Sequence, residues 1–205
     1  EIGKGGMGTV YAAEQISLRR KVALKILPSH LSFSDEAVRK FHREAEAGGR
    51  QSHPGIVAIH AIGEHEGIHY IAQELVEGCR TLNDRLDALR GQEGLPMGYF
   101  RESAEITAAV ADALQHAHDS GVIHRDIKPS NILVAIKDEG TIPKVIDFGV
   151  ARAISQPLTE CTLHTEQGQL VGTPEYMSPE QADSSNQDID TRTDVYSLGV
   201  VLYEL

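Results

Sequence analysis

Four charged or titratable side chains, His124, Arg125, Asp126 and Lys128, fall within five positions of IHRDIKPSNILV, residues 123–134. The amide of Asn131 follows on the same stretch. Apolar residues bracket it, with Val122 and Ile123 before and Ile132, Leu133 and Val134 after. Pro129 forbids a helix through it. A carboxylate, an ammonium and an amide therefore sit on a short loop hung between apolar runs, which is either a solvated turn or a site. A second carboxylate, Asp147, ends the apolar run KVIDFG, where Gly149 allows a sharp turn. Asn131 and Asp147 are hard oxygen donors. They suit Mg²⁺, which takes one or two carboxylates alongside phosphate oxygens and water.

Near the start, Gly3, Gly5 and Gly8 in GKGGMG fit the pattern G-x-G-x-x-G. A dinucleotide-binding turn would need a helix after it. The residues that follow, TVYAAEQ, read as a strand, so that reading is rejected. A glycine-rich hairpin instead leaves room for a phosphate chain beneath bare backbone, and a plain flexible hairpin is the competing reading. Lys25 lies in VALKIL, on an inner strand where a charge is costly unless paired. Glu36, Glu44 and Glu46 on the next helix are candidate partners, and Glu44 lies closest to the apolar stripe around Phe41. A Lys25–Glu44 pair would make a phosphate clamp; a lysine snorkelling to water is the alternative. His124 is an acid/base or a packing residue whose ring nitrogens bond backbone. His116 and His118, two apart on a helix, face different ways and do not make a zinc site.

These residues need elements to carry them. TVYAAEQ and KVALKIL read as an antiparallel pair joined by the basic turn ISLRRK. SDEAVRKFHREAEAGGR reads as a capped helix with Ala37, Val38, Phe41 and Ala45 on its apolar face. GIVAIHAIGEHEGIHYIAQELV reads as two strands around a glycine turn, which gives β-β-α-β-β. From Thr81 the character changes to helix. TLNDRLDALR comes first, then the long, Ala-rich YFRESAEITAAVADALQHAHDSG closed by Gly121. A strand pair, NILVAI and PKVIDFG, follows the charged loop. A polar segment and a terminal helix complete the chain. The expected fold is α+β and bilobal, with a sheet-rich lobe over residues 1–77 and a partial helical lobe over 78–205. The hinge is placed near Glu74 to Gly78, and a cleft between lobes is a preferred ligand site.

Composition narrows the classes. The 205 residues carry a formal net charge of -11 and no Lys/Arg cluster, which argues against a nucleic-acid binder. Cys79 and Cys161 are far apart and form neither a disulfide framework nor a zinc motif, in keeping with a reducing compartment. No apolar run reaches the length of a membrane span. Both ends interrupt apparent elements, so the expectation is a piece of a longer protein.

Taken in order, GKGGMGTV, VALK, Glu44, HRDIKPSN, DFG, GTPEYMSPE and DVYSLGV resemble the eukaryotic-type protein kinase family, most closely the bacterial serine/threonine members. The resemblance covers nearly the whole chain. It implies transfer of the γ-phosphoryl group of ATP, with Mg²⁺ or its substitute Mn²⁺, to Ser/Thr hydroxyls of proteins. On it, Gly3, Gly5 and Gly8 cover the phosphates, with Ile2 and Val10 above the adenine. Ala23 and Leu133 sandwich the purine, and Glu74 and Val76 offer backbone groups to its edge. Gln73 stands at the gate to the back pocket, where an apolar residue is commoner. Lys25, oriented by Glu44, holds the α- and β-phosphates. Asp126 accepts the hydroxyl proton, Lys128 steadies the transferred group, and Asn131 and Asp147 hold the metal. Asp194 anchors the catalytic loop from behind. Ser178 replaces the usual alanine of the APE motif. Lys128 is the serine/threonine-type choice. A pseudokinase acting as a scaffold is the alternative, and the retained Lys25, Asp126 and glycines argue against it.

The resemblance also implies regulation. Ser155, Thr159, Thr162 and Thr165 lie on the segment corresponding to an activation loop, with Thr162 and Thr165 favoured as phosphorylation sites. Arg125, Arg152 and Lys40 would receive the phosphate. Thr173 would line the pocket beside the acceptor. Protein substrates are the expected partners, and self-association would serve autophosphorylation. Neither nucleic acid nor membrane is an expected partner of these residues. The expected compartment is the cytoplasm, with a parent protein that can carry a membrane anchor.

Overall fold

The computed structural model describes residues 1–5, 8–28, 32, 34–92, 94–137, 140–148, 152–153, 174–182 and 189–205. A five-stranded antiparallel sheet comes first, in the order β1-β2-β3-β5-β4. Its strands are β1 (Gly3–Gly5), β2 (Gly8–Gln15), β3 (Arg20–Ile26), β4 (Ile59–His65) and β5 (Ile68–Glu74). Gly5 pairs with Gly8 at the tip of the first hairpin, and Val10 pairs with Lys25 across β2 and β3. The glycine-rich stretch is thus a hairpin between strands, as its flanks imply. At Gly8, φ is +145° and an added Cβ would lie 2.3 Å from the Ile26 carbonyl oxygen. Only glycine fits that approach. The β4–β5 turn uses positive φ at both Glu66 and Gly67, the handedness that matches strand twist in a two-residue hairpin.

Helix α1 (Asp35–Gly49) starts where Ser34 accepts a hydrogen bond from the Ala37 N–H, the capping pattern its sequence carries. Its apolar stripe buries Phe41 and Ala45 against Leu27, just past β3, and Ile71 of β5. This core is small. The larger one belongs to the helical lobe, where α3 (Tyr99–Asp119) buries Ile106, Val110, Ala113, Leu114 and Ala117. Those positions recur at helical spacing, so one stripe faces inward. Val122, Ile127, Ile132, Val145, Phe148 and Val201 pack into the same cluster. Before α3, α2 (Leu82–Arg90) opens on a reciprocal capping box between Thr81 and Asp84. After it come β7 (Val122–Ile123), the loop, a 3₁₀ turn (Pro129–Asn131), β8 (Ile132–Lys137) and β9 (Gly140–Val145). A short strand β10 (Arg152–Ala153) pairs with β7. Another 3₁₀ turn (Pro174–Tyr176), α4 (Pro179–Ala182) and α5 (Arg192–Glu204) complete the described elements.

Two details differ from the sequence reading. β9 starts at Gly140 and ends at Val145, earlier at both ends than PKVIDFG suggests. Ile146 and Asp147 lie past the strand, and Asp147 turns with φ of +62°. A three-residue strand, β6 (Cys79–Thr81), also joins β8 and β9 in a second sheet, ordered β6-β8-β9. Three residues carry no readable alternation, and only pairing with Leu133–Ala135 makes them a strand. The chain before β4 also crosses to this region. Ile56 bridges Val145 in parallel and packs with the larger core. The fold is α+β and bilobal.

Candidate active site

The loop between β7 and β8 is fixed from three sides. From beneath, the fully buried Asp194 near the start of α5 accepts the N–H of His124 at 2.8 Å and of Arg125 at 2.7 Å. A buried carboxylate costs several kcal/mol unless it is hydrogen-bonded, and these amides supply that compensation. His118 on α3 adds a third contact, its Nε2 lying 2.7 Å from an Asp194 oxygen. From the side, Gln181 Nε2 donates to the Arg125 carbonyl at 2.8 Å. Arg125 itself turns with φ of +67°, a conformation that needs such anchoring. From above, His124 accepts the Asp126 N–H at Nδ1, so its proton sits on Nε2 and is donated to the Ile146 carbonyl at 3.0 Å. The ring is fully buried and its centroid lies 4.6 Å from that of Phe148. His124 is therefore a packing residue that ties the loop to the segment carrying Asp147.

On this frame the side chains singled out in the sequence meet. Lys128 Nζ lies 3.0 Å from Oδ1 and 2.9 Å from Oδ2 of Asp126. Asn131 Nδ2 donates to Asp126 Oδ2 at 3.0 Å and to its backbone carbonyl at 2.8 Å. The Asn131 carbonyl in turn accepts the Ile146 N–H at 3.0 Å, so the loop and the strand exit are stapled at two points. Since Asn131 uses its amide nitrogen on Asp126, its side-chain oxygen is the atom left for a cation. Across the cleft, Lys25 reaches from β3 to Asp147 Oδ1 at 2.8 Å. Lys25 is 5% exposed, so this ammonium is a buried charge held by an opposite one. One ammonium, one carboxylate at the strand exit and one amide oxygen form a donor set that fits a phosphate chain and a hard divalent ion.

Other sequence-identified residues are placed as follows. Ala23 is buried, Val10, Val76 and Leu133 are half-buried, and Ile2 is exposed at the hairpin edge. The Glu74 N–H is taken by the Ala58 carbonyl at 2.8 Å, and its carboxylate bonds Lys144 at 2.9 Å. That ion pair ties β5 to β9. Glu44 lies on α1 after Phe41, but its side chain is outside the described residues, as are those of Lys40 and Arg152. Ser155, Thr159, Thr162, Thr165 and Thr173 are outside them altogether. His116 stacks on His53 at 5.1 Å. The Ser178 hydroxyl, fully buried, is shared between Gln181 and Thr193 at 3.3 Å each, so the extra oxygen is satisfied.

Sequence reasoning missed the contacts of His118 and Gln181 with the loop and its anchor. His118 lies on α3 and Gln181 two residues past Pro179, and nothing local marks either. It also missed the cluster at the outer edge of the loop. There Arg90 of α2 donates to Glu204 of α5 at 2.7 Å, and the Tyr176 hydroxyl donates to the other Glu204 oxygen. Burial and the neighbouring Glu204 carboxylate push the Tyr176 phenol well above its ordinary range.

The comparisons with known proteins bear on the same residues. A family model described as "Protein kinase domain" matches residues 1–205. The chain is 41% identical over 204 residues to the serine/threonine-protein kinase PrkC of Bacillus subtilis, covering 100% of this chain and 29% of that protein. It is 40% identical over 206 residues to the probable serine/threonine-protein kinase PknB of Lactococcus lactis, covering 100% of this chain and 30% of that protein. The PknI kinase domain of Mycobacterium tuberculosis shares the fold at a TM-score of 0.72 and 29% identity, over 100% of this chain and 71% of that one. The chain thus spans under a third of the length of these curated relatives. A match running through every residue, over a fold and a charge arrangement that the residues themselves imply, makes this chain a member of the protein kinase domain family.

Proposed function

We propose that this chain is the catalytic part of a serine/threonine protein kinase that transfers the γ-phosphoryl group of ATP to protein hydroxyls. The observation that carries the reading is the contact of Lys128 and Asn131 with the Asp126 carboxylate, on a loop held rigid from beneath. Phosphoryl transfer asks the protein mainly for position and charge. Asp126 accepts the proton of the incoming hydroxyl. Lys128, drawn off Asp126 when nucleotide is present, neutralises charge on the transferred group. Lys25 holds the phosphate chain from the sheet side. Mg²⁺, or Mn²⁺ in its place, would sit on Asn131 and Asp147 and supply neutralisation of the phosphate oxygens. The glycine hairpin roofs the phosphates, while Ala23 and Leu133 flank the base. Serine/threonine specificity is supported by Lys128 and by the names of the relatives.

The division at residue 77 is supported by the two separate cores, with Ile56 reaching from one side to the other. Regulation by (auto)phosphorylation of Thr162 or Thr165, read by Arg125 and Arg152, belongs to the same proposal, with transient self-association as its route. The proposed compartment is the cytoplasm; among the described residues no helix is long and apolar enough to cross a membrane. Phosphotransfer from labelled ATP to a generic basic protein tests the reading. Wild type should label it, and Asp126→Asn should lose labelling while still binding ATP. Equal labelling by both would overturn the assignment. Full activity in a Thr162→Ala/Thr165→Ala variant would remove the regulatory part alone.

A further inference from the structure

Near the β4–β5 turn, two histidines from different elements face each other. His42 follows the buried Phe41 on α1, and His69 lies on β5. His42 Nε2 and His69 Nδ1 are 3.4 Å apart, with the ring centroids at 5.4 Å. That is long for a hydrogen bond from a nitrogen donor, whose usual separation is about 2.9–3.0 Å. It matches a different arrangement. Two imidazole nitrogens on a tetrahedral zinc, at bond lengths of about 2.0–2.1 Å, stand about 3.3–3.4 Å apart. With each ring on its bond axis, the centroids then fall about 5.2 Å apart. Both lone pairs can therefore aim at one point between the rings, once neither nitrogen carries a proton.

A carboxylate stands beside them. Glu64 pairs with His69 across β4 and β5, so their side chains share a face, and Glu64 Oε2 lies 3.8 Å from the same His69 Nδ1. Among the described residues no three such side chains already close around one ion. The shortfall here is one rotation. An oxygen bound next to that nitrogen on one zinc would lie about 3.3 Å from it. The Glu64 side chain is 57% exposed and can turn. The His69 side chain is 12% exposed and His42 is half-buried, so the two rings are held in place. The other close pair, His53 and His116, is built differently. Its rings stack at 5.1 Å and 28°, and both His53 nitrogens are taken, Nδ1 by the Gly55 N–H and Nε2 by Asp112.

We propose that His42, His69 and Glu64 form a binding site for a divalent transition ion of the zinc class, which fastens α1 to the β4–β5 hairpin. Two imidazole nitrogens and a carboxylate suit zinc, cobalt or nickel, with water in the fourth position; Mg²⁺ takes oxygens and passes such a site by. The ligands come from α1, β4 and β5. The ion thus adds a cross-link where the core between helix and sheet is only the small cluster of Leu27, Phe41, Ala45 and Ile71. It shares no ligand with the Mg²⁺ proposed at Asn131 and Asp147, and the site does not rest on the kinase reading.

The test is a Co²⁺ titration of the full-length protein, stripped of metal with chelator and free of nucleotide, read by visible absorption. Wild type should take up Co²⁺ with the strong band of a four-coordinate ion, displaced by Zn²⁺ and untouched by millimolar Mg²⁺. His42→Gln and His69→Gln should each weaken this binding at least about tenfold. Glu64→Gln, at an exposed side chain where folding is not at stake, should weaken it too, which keeps the proposal falsifiable if a histidine variant folds poorly. His116→Gln should bind as wild type does. Zn²⁺ at a hundredfold excess over its Kd should raise the Tm of wild type by about 5 °C and leave that of His69→Gln unmoved. No Co²⁺ uptake by wild type would overturn the proposal. So would uptake undiminished in His42→Gln, His69→Gln and Glu64→Gln, or uptake that His116→Gln abolishes. Phosphotransfer is not read in any of these arms, so the kinase reading stands or falls separately.

Discussion

The two lobes deliver their functional groups in opposite ways. In the helical lobe, Asp126, Lys128 and Asn131 come from one short loop, braced by a core that runs from Ile106 to Val201. The N–H groups of His124 and Arg125 bond the buried Asp194, the Arg125 carbonyl accepts from Gln181, and the His124 ring donates to the Ile146 carbonyl. In the sheet lobe, Lys25 comes from the middle of a strand, and its nearest apolar support is the small cluster of Leu27, Phe41, Ala45 and Ile71. Its described ionic partner, Asp147, belongs to the other lobe. On the proposed function, one lobe therefore holds a preset reacting geometry, while the other holds a clamp whose position depends on how the lobes meet. A phosphotransferase needs both, because the nucleotide must enter before the reacting atoms are enclosed.

Asp126→Asn strikes the preset half and should have the largest effect. Phosphotransfer should fall about 10³-fold, within the range for loss of a positioned base, with ATP affinity little changed. Measuring kcat and nucleotide binding separately checks this. Lys25→Met strikes the clamp. It leaves Asp147 without this ion pair and should lower phosphotransfer about 100-fold, with a larger share of the loss in nucleotide affinity. If Lys25→Met spared affinity and Asp126→Asn abolished it, the contrast between the lobes would be inverted.

Phe41→Ala probes the support of the clamp. Phe41 is fully buried, and a truncation of this kind costs about 3–5 kcal/mol. Because the small core holds α1 to the sheet, denaturation of this variant should show the sheet lobe loosening first. A single transition with unchanged nucleotide binding would contradict the comparison.

The smallest expected effect lies at Arg85 and Glu102, which join α2 to α3. The Arg85 guanidinium, hydrogen-bonded to Glu102, holds that carboxyl below its ordinary value of 4.5. A depressed carboxylate contributes stability that is present above its unfolded pKa and lost as pH falls through the folded one. Wild type should therefore lose stability on acidification below about pH 4.5, and Glu102→Gln should show a flatter curve there. Melting temperatures across pH 3–6 read the difference.

The loop was legible in the sequence because its parts are local. Asn131 lies five residues from Asp126, and Pro129 fixes the turn between them. The glycine hairpin was legible because its neighbours alternate as strands. Pairings across the fold were not. Lys25 and Asp147 are separated by 122 residues, and each is readable alone while their contact is not. His118, Gln181 and the Arg90–Glu204 pair bond across 56 to 114 residues, and no local pattern encodes them. β6 was missed because three residues become a strand only by pairing. Asp194 was legible through family resemblance, and its two bonds to the loop amides are where that expectation and the geometry meet.

Asp194 also offers the most direct test of the claim that the reacting geometry is set from behind. Its carboxylate is fully buried and bonds the loop backbone, not the reacting groups. In Asp194→Asn one oxygen becomes a donor, so one loop amide loses its acceptor while the side-chain volume is kept. In the folded variant at saturating ATP, the account predicts that phosphotransfer falls about 100-fold, the cost of a small misplacement at the reacting centre, with ATP affinity within about threefold of wild type. A rate within threefold of wild type would contradict it.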